Sequence, residues 1–257
     1  MNSDLKISCK CITYGRINLL QEALYSFLQQ DDLENTELII VNDYPLQTLV
    51  FEHPNVKIFN IKETFKTIGE KENFAIEQCS GDIIVVWDDD DIALSNHLNN
   101  IRKYWKEDTN ICHWSNGAYY NYPDITKLTF IGNSGMVYSR KAWEEIGRSP
   151  IMNAGGDTTL MKKIHALGED KVVLAFPPNE EVSWFYRWQL PATKTTAGTY
   201  HQSGAGYDVP GKPNIIERHS TYIEQQRRKG LIPTGEIFLQ PHWSQQYDEL
   251  LKNYNKK

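Results

Sequence analysis

The chain has 257 residues, 40% of them hydrophobic and 12% aromatic, which is enough to bury a full core as one large domain or one domain with an appendage. A formal net charge of −6, with no basic run longer than "QQRRKG", excludes a general polyanion-binding surface, so no nucleic-acid partner is expected. The start "MNSDLKISCK" is unlike a secretory leader, no apolar run reaches the ~20 residues that span a bilayer, and the four cysteines form no CxxC pair. The expectation is a soluble cytoplasmic protein, with peripheral contact at the inner face of the membrane left open.

"KISCKCIT" reads as a strand that puts Cys9 and Cys11 on one face as small core residues, and Tyr14-Gly15-Arg16 follows as a turn. "INLLQEALYSFLQQ" carries Ile17, Leu20, Leu24, Phe27 and Leu28 at helical spacing. "TELIIVND" and "NVKIFNI" are short strands of the buried type. "TIGEKENFAIEQCSG" is a helix with Gly81 as its stop. "DIIVVW" is a strand that runs into Asp88, Asp89, Asp90 and Asp91, and "LSNHLNNIRKYWKE" is a helix behind them.

Beyond about residue 110 the segments shorten to strands "ICHWS", "GAYYNY", "KLTFIG" and "SGMVYS", then a helix over 140–146 and the "NAGGD" loop. The helix "DTTLMKKIHALG" sets Leu160, Met161, Ile164 and Leu167 on one face, and "VSWFYRWQL" is a further strand. Residues 189–213 hold four glycines and three prolines without periodicity, as a lid or a disordered segment would. From residue 214 the chain reads as a helix, the irregular "LIPTGEIFLQPHW" and a last helix.

Strands alternating with helices imply an α/β, Rossmann-like fold: a mostly parallel central sheet with helices on both faces. In such sheets ligands bind beyond the carboxyl ends of the strands, where Thr13, Asp43 and Asp88–Asp91 all fall. Four carboxylates within about 13 Å of extended backbone repel one another unless something positive sits among them. A hard divalent cation, Mn2+ or Mg2+, suits them, with one or two carboxylates as ligands and phosphate and water completing its shell. Asp88 and Asp90 would reach one ion, leaving Asp91 to cap the next helix or to hold water. A solvated acidic turn is the plain alternative; a calcium loop fails for want of its glycine and glutamate.

Six pieces in order carry a resemblance. "CITYGR" is like an opening strand and turn that usually ends in a Thr-Tyr-Asn-Arg-like string. "ELIIVNDYP" is like a second strand that usually ends in two acidic residues. "IGEKENFAI" is like a segment usually reading Ala-Arg-Asn, and "VVWDDDD" is like an Asp-x-Asp metal motif. "GNSGMVYSRKAWEEIG" and "GGDTTLMKKI" are like acceptor-side segments. Over about residues 5–168 the chain resembles glycosyltransferase family 2, enzymes of GT-A fold.

The resemblance implies a catalytic domain over 1–212, with a nucleotide-binding half to about 110 and an acceptor half after it, and leaves 213–257 as a C-terminal helical extension. It implies that Thr13 and Asp43 contact the base and ribose of a nucleoside-diphosphate sugar, UDP-linked by preference, with Tyr14, Arg16 and Asp89 also at the donor. Asp88 and Asp90 would lie at the ribose and the metal-bound diphosphate, and Asp157 would be the general base of an inverting transfer to a glycan or lipid-linked hydroxyl, with a plain N-cap of the helix over 158–167 as its alternative. Three positions depart from the pattern. Asn42 stands where an acidic residue is usual, Gly156 precedes Asp157 in place of a glutamate, and Glu72 replaces an arginine, which hands the diphosphate to Lys71, by preference, or to Lys66.

Trp184, Tyr186 and Trp188 alternate in their strand, so they share either an acceptor-sugar platform or a core face. His201 in the glycine-rich stretch either completes a metal shell or is merely solvated. Two other readings remain: a sugar-nucleotide or glycan-binding module without turnover, kept open by Glu72, and a nucleotidylyltransferase, for which "ITYGRIN" lacks a glycine-rich phosphate loop.

Overall fold

The run Ile7–Thr13 has no exposed residue, which is the signature of a strand covered on both faces, and it forms the central strand β1. A computed structural model describes residues 5–114, 117–121, 124–128, 136–175, 178, 181–189 and 215–255. In it β1 lies between β2 (Thr36–Asn42) and β5 (Ile83–Val86), parallel to both. Outside β2 lies β4 (Val56–Asn60). On the other side come β10 (Val137–Ser139), β7 (Ile111–Trp114) and β11 (Val172–Ala175), giving the order β11-β7-β10-β5-β1-β2-β4. Only β10 is antiparallel to its neighbours. The carboxyl ends of β1, β2 and β5 therefore open on one edge, as the alternation of elements implied.

Helices cover both faces. On one, Leu20, Leu24 and Phe27 of α1 (Ile17–Leu28) and Leu98 and Ile101 of α3 (His97–Tyr104) pack with Cys9, Cys11 and Val85. On the other, Ala75 and Ile76 of α2 (Ile68–Gln78), Trp143 of α4 (Arg140–Glu145) and Leu160 and Ile164 of α5 (Gly156–His165) pack with Ile39, Val41 and Ile84. A second sheet, in the order β6-β12-β8-β9, runs off the aspartates. It joins β6 (Ile92–Ala93) to β12 (Trp184–Gln189), β8 (Gly117–Asn121) and β9 (Asp124–Leu128). Strand β9 starts at Asp124, where the sequence pattern placed a strand from Lys127. It pairs antiparallel with β8, with Asn121 opposite Asp124.

Two other features differ from expectation. Helix α2 ends at Gln78, capped by Cys79 and not by Gly81, and Gly81 is small for another reason: a Cβ there would stand 2.6 Å from the Ser8 nitrogen of β1. The C-terminal extension is not purely helical. Between α6 (Ile215–Arg228) and α7 (Tyr247–Asn255) it inserts β13 (Gly235–Phe238), which pairs in parallel with β3 (Gln47–Val50), a strand the sequence pattern did not show. No helix among the described residues is long and apolar enough to cross a membrane.

Helix α2 carries Lys71 and Glu72 and is fixed at its first turn. Thr67 and Glu70 form a reciprocal capping box, with Glu70 N–H donating to Thr67 Oγ1 at 3.1 Å and Thr67 N–H to Glu70 Oε2 at 3.0 Å. Asn153 Oδ1 accepts from Ile68 N–H at 3.1 Å, and a Cβ on Gly69 would stand 1.9 Å from the Pro150 carbonyl. Gly69→Ala should force α2 off this loop and destabilise the protein by about 1–3 kcal/mol, read as a lower urea midpoint. An unchanged midpoint would contradict this docking.

Candidate active site

The aspartates occupy a turn whose stem is anchored on both sides. Trp87 N–H donates to the Lys10 carbonyl at 2.9 Å, and the Trp87 indole donates to the Ala23 carbonyl of α1 at 3.0 Å. Arg16, between β1 and α1, reaches under the turn. Its Nε donates to Asp89 Oδ2 at 3.0 Å, Nη2 to Asp89 Oδ1, and Nη1 to Asp90 Oδ2 at 2.8 Å. Burial works against the buried guanidinium's charge, but Asp89 and Asp90 outweigh it and raise its pKa. The fork geometry of arginine suits a site where two neighbouring carboxylates are held at once.

Asp91 is held from the other side. Its Oδ1 accepts from Arg187 N–H at 3.0 Å, while its Oδ2 is buried with no hydrogen-bond partner among the described residues. Burial, followed by the charge of Asp90, pushes Asp91 well above the usual carboxylate range. Asp88 makes no side-chain hydrogen bond or ion pair among the described residues; burial first, then Asp90, pushes its pKa up to about 7, against the pull of Lys10. The turn is thus short of positive charge as it stands.

Arg187 is itself anchored. Its Nε donates to the Asp90 carbonyl, and its Nη1 donates to Glu22 Oε2 of α1 and, at 3.0 Å, to the Tyr247 hydroxyl of α7. Glu22 also accepts from Ser244 N–H at 2.7 Å. Burial favours the neutral acid at Glu22, but Arg187 and Ser244 outweigh it and hold its pKa below the usual range. The C-terminal extension thereby braces the aspartate turn from behind.

At the tips of β1 and β2, Lys71 pairs with Asp43 Oδ1 and donates to the Thr13 carbonyl at 2.7 Å. Asp43 Oδ2 accepts from Phe65 N–H at 3.0 Å. Lys71 is only 7% exposed, and burial lowers its pKa despite Asp43. The lysine expected at the diphosphate is thus engaged in tying β1 to β2. Asn42 is buried and uses both ends of its amide. Its Nδ2 donates to the Gln47 carbonyl and to Asn60 Oδ1, each at 3.2 Å, and its Oδ1 accepts from Tyr44 N–H at 3.2 Å. A carboxylate there has no proton to donate, which accounts for the amide. Tyr14 stands edge-on to Tyr44 at 4.9 Å between ring centroids and to His219 of α6 at 5.6 Å.

Asp157 lies on the first turn of α5 and is exposed, its Oδ1 accepting from Thr158 N–H at 2.6 Å. The helix cap is Gly155, whose φ of 66° favours glycine, so Asp157 is not a cap. A cavity of about 100 Å³ brings Asp157 together with Asp88, Lys10, Glu72, Val86, Met136, Tyr138 and Leu160.

Most of the residues singled out from the sequence fall into two linked groups: Thr13, Asp43 and Lys71 at the β1 and β2 tips, and Arg16, Asp88, Asp89, Asp90 and Asp157 around the turn and the cavity. Trp184 does not join them. It is 5% exposed and packs in the main core, its ring 5.8 Å from that of Tyr186, so it offers no free face to a sugar. Tyr186 is half-buried against the same core. The Trp188 side chain, His201 and residues 190–214 lie outside the described residues. Sequence reasoning missed Lys10, Glu22, Arg187 and Tyr247. The one available signal was a charge inside a run predicted to be buried, Lys10 within "ISCKCIT"; Glu22 lies on the side of α1 opposite Leu20 and Leu24 and gave none.

Among the described residues no three His, Cys, Asp or Glu side chains gather to hold an ion unaided. Asp88 and Asp90 fit the other arrangement, two carboxylates on one turn with phosphate and water as the remaining ligands, and the unpartnered Asp88 carboxylate and Asp91 Oδ2 show a turn that accepts more positive charge.

The mostly parallel sheet with one reversed strand, the acidic turn at its carboxyl edge and the acidic residue on the facing helix define a GT-A fold. The model of glycosyl transferase family 2 matches residues 11–165, more than half of the chain, and the chain belongs to that family. A relative in Bacillus subtilis (strain 168), described as the uncharacterized glycosyltransferase YwdF, is 29% identical over 167 residues, 56% of this chain and 61% of its own length. S. aureus TarS 1-349 in complex with UDP-GlcNAc superposes with a TM-score of 0.59 at 13% identity, over 76% of this chain and 64% of that TarS 1-349 chain. The mannosyltransferase PcManGT from Pyrobaculum calidifontis, in complex with GDP-Man and Mn2+, superposes with a TM-score of 0.55 at 15% identity, over 88% of this chain and 72% of its own. The chain spans less than two thirds of YwdF and of the TarS chain, and the two superpositions show a shared fold.

Removing one partner of a buried ion pair leaves an uncompensated charge, so Arg187→Met should destabilise the protein by about 3–5 kcal/mol in urea unfolding. Adding Glu22→Gln should recover part of that loss. An equal loss in the double variant would place the cost elsewhere than the Glu22 pair.

Proposed function

We propose that the protein is a metal-dependent glycosyltransferase that moves a sugar, with inversion, from a nucleoside diphosphate to a hydroxyl of a glycan or a lipid-linked acceptor, with a UDP-sugar as the favoured donor. The observation that carries this reading is that Asp88 of the aspartate turn and Asp157 of α5 line one cavity, which supports Asp157 as a base facing the donor side. Membership of glycosyl transferase family 2 supports it, and the Mn2+ in PcManGT supports a divalent cation. A cytoplasmic setting, peripheral to the membrane where the acceptor is lipid-linked, goes with it.

Asp88 and Asp90 would hold Mn2+ or Mg2+, which when bound supplies Lewis-acid stabilisation of the leaving diphosphate. Arg16 keeps Asp89 and Asp90 in place, so the turn is formed before substrate arrives. Lys71 and Asp43 hold the tips of β1 and β2 together as the floor for the base and ribose, with Thr13, Tyr14 and Tyr44 around it. Asp157 takes the proton of the incoming hydroxyl as it attacks the anomeric carbon from the side opposite the diphosphate.

Nucleoside diphosphate released from UDP-, GDP-, CDP- and dTDP-sugars with Mn2+ present, water standing in as a slow acceptor, provides the test. One donor should turn over, and Asp157→Asn should slow it by about 10²–10⁴-fold while leaving donor affinity nearly unchanged. Full activity in that variant would remove Asp157 from the mechanism; donor binding without release in the wild type would make the chain a binding module.

A further inference from the structure

We infer that Lys10 and Glu72 are the residues that select the transferred sugar, Glu72 accepting a hydrogen bond from one of its hydroxyl or amino groups and Lys10 donating to a neighbouring oxygen. The inference rests on the donor reading above and deepens it. Lys10 is the one charged residue of β1, in the centre of the sheet, and is only 2% exposed. Its Nζ donates to Glu72 Oε1 at 2.7 Å. Burial lowers the lysine pKa, but Glu72 and then Asp88 outweigh it and raise the net value, so Lys10 is a cation at neutral pH.

Stability gives little reason for such a pair. Two apolar residues of similar volume usually hold a fold as well as a buried ion pair, or better. Position gives a stronger reason. The pair forms part of the wall of the cavity that Asp88 and Asp157 also line, between the turn that faces the donor and the residue that faces the acceptor. At about 100 Å³ the cavity has room for several water molecules, and so for one edge of a hexose. Its lining matches a sugar edge, with Val86, Met136 and Leu160 for C–H groups and charged side chains for hydroxyls. Glu72 is the only side-chain acceptor of Lys10 among the described residues, which leaves ammonium protons for substrate.

The same lining sets the substrate class. With Asp88 given to the cation, Glu72 and Asp157 leave two carboxylates around the cavity against one ammonium, which Glu72 already engages. A uronic acid would bring a third carboxylate beside these two, so the site favours neutral or amino sugars over acidic ones.

Calorimetric titration in the presence of Mn2+ tests this. The probes are UDP, GDP, CDP and dTDP, then the glucose, N-acetylglucosamine, mannose and glucuronate esters of whichever diphosphate binds. The wild type should bind a neutral ester more tightly than the glucuronate ester. Glu72→Gln should weaken the best neutral ester by about tenfold or more while leaving the bare diphosphate within about twofold, and should narrow the gap to the glucuronate ester. If Glu72→Gln unfolds, the double variant Lys10→Met with Glu72→Met removes both charges at similar volume and should lose the same sugar-dependent part of the affinity. A diphosphate that binds the wild type, with sugar esters that bind all variants equally, overturns the inference and leaves the donor reading standing. No binding of any diphosphate overturns both.

Discussion

Four adjacent carboxylates at the end of a buried strand must be kept from driving the turn apart, and much of the architecture follows from how the chain meets that constraint. Arg16 takes Asp89 and Asp90 from the side of β1; Arg187 takes Asp91 and the Asp90 carbonyl from the side of β12. Neither arginine sits there freely. Arg16 belongs to the turn that starts α1, and Arg187 is fixed by Glu22 of α1 and Tyr247 of α7. Asp88 is left facing the cavity with Asp157, and burial beside Asp90 raises it to about 7. A turn held in shape but still short of positive charge is what a cation brought by a diphosphate would complete.

The C-terminal extension takes its place in this account as part of the site's support. Through Tyr247 and Ser244 it closes the buried pair behind the aspartates, and through Ile223 it packs on Tyr44 and Tyr14 beside the tips of β1 and β2. Gly15, with a φ of 71°, passes beneath Ile223, where a Cβ would stand 2.8 Å from that side chain. One small residue thus permits both the turn that aims Arg16 and the approach of α6.

The central sheet and the convergence at its edge were legible because both rest on local signals. Apolar runs marked β2 and β5, alternation marked β1, helical spacing marked α1 and α5, and the parallel-sheet rule then brought Thr13, Asp43 and Asp88 to one edge. What stayed hidden depends on partners distant in sequence. Strand β3 is defined by β13, and neither is strongly patterned alone. Lys71 reads as a cation for a diphosphate until the structure shows it already bound to Asp43. Alternation put Trp184 and Tyr186 on one face but said nothing of which face meets the core. Lys10 was visible as a misplaced charge, while its role required Glu72 to be seen beside it; Glu22 sits on the polar side of α1 and is buried only through Arg187 and the C-terminal extension.

The central claim is that the aspartate turn is completed by a metal-bound nucleoside diphosphate. Thermal unfolding with UDP, GDP, CDP and dTDP, each with manganese and again with a chelator, tests it most directly. A ligand at 100 times its dissociation constant adds about 2.7 kcal/mol of stability, an easily read shift. The account predicts a shift with one nucleotide that vanishes on chelation. No shift with any nucleotide, or a shift that the chelator leaves intact, would contradict it.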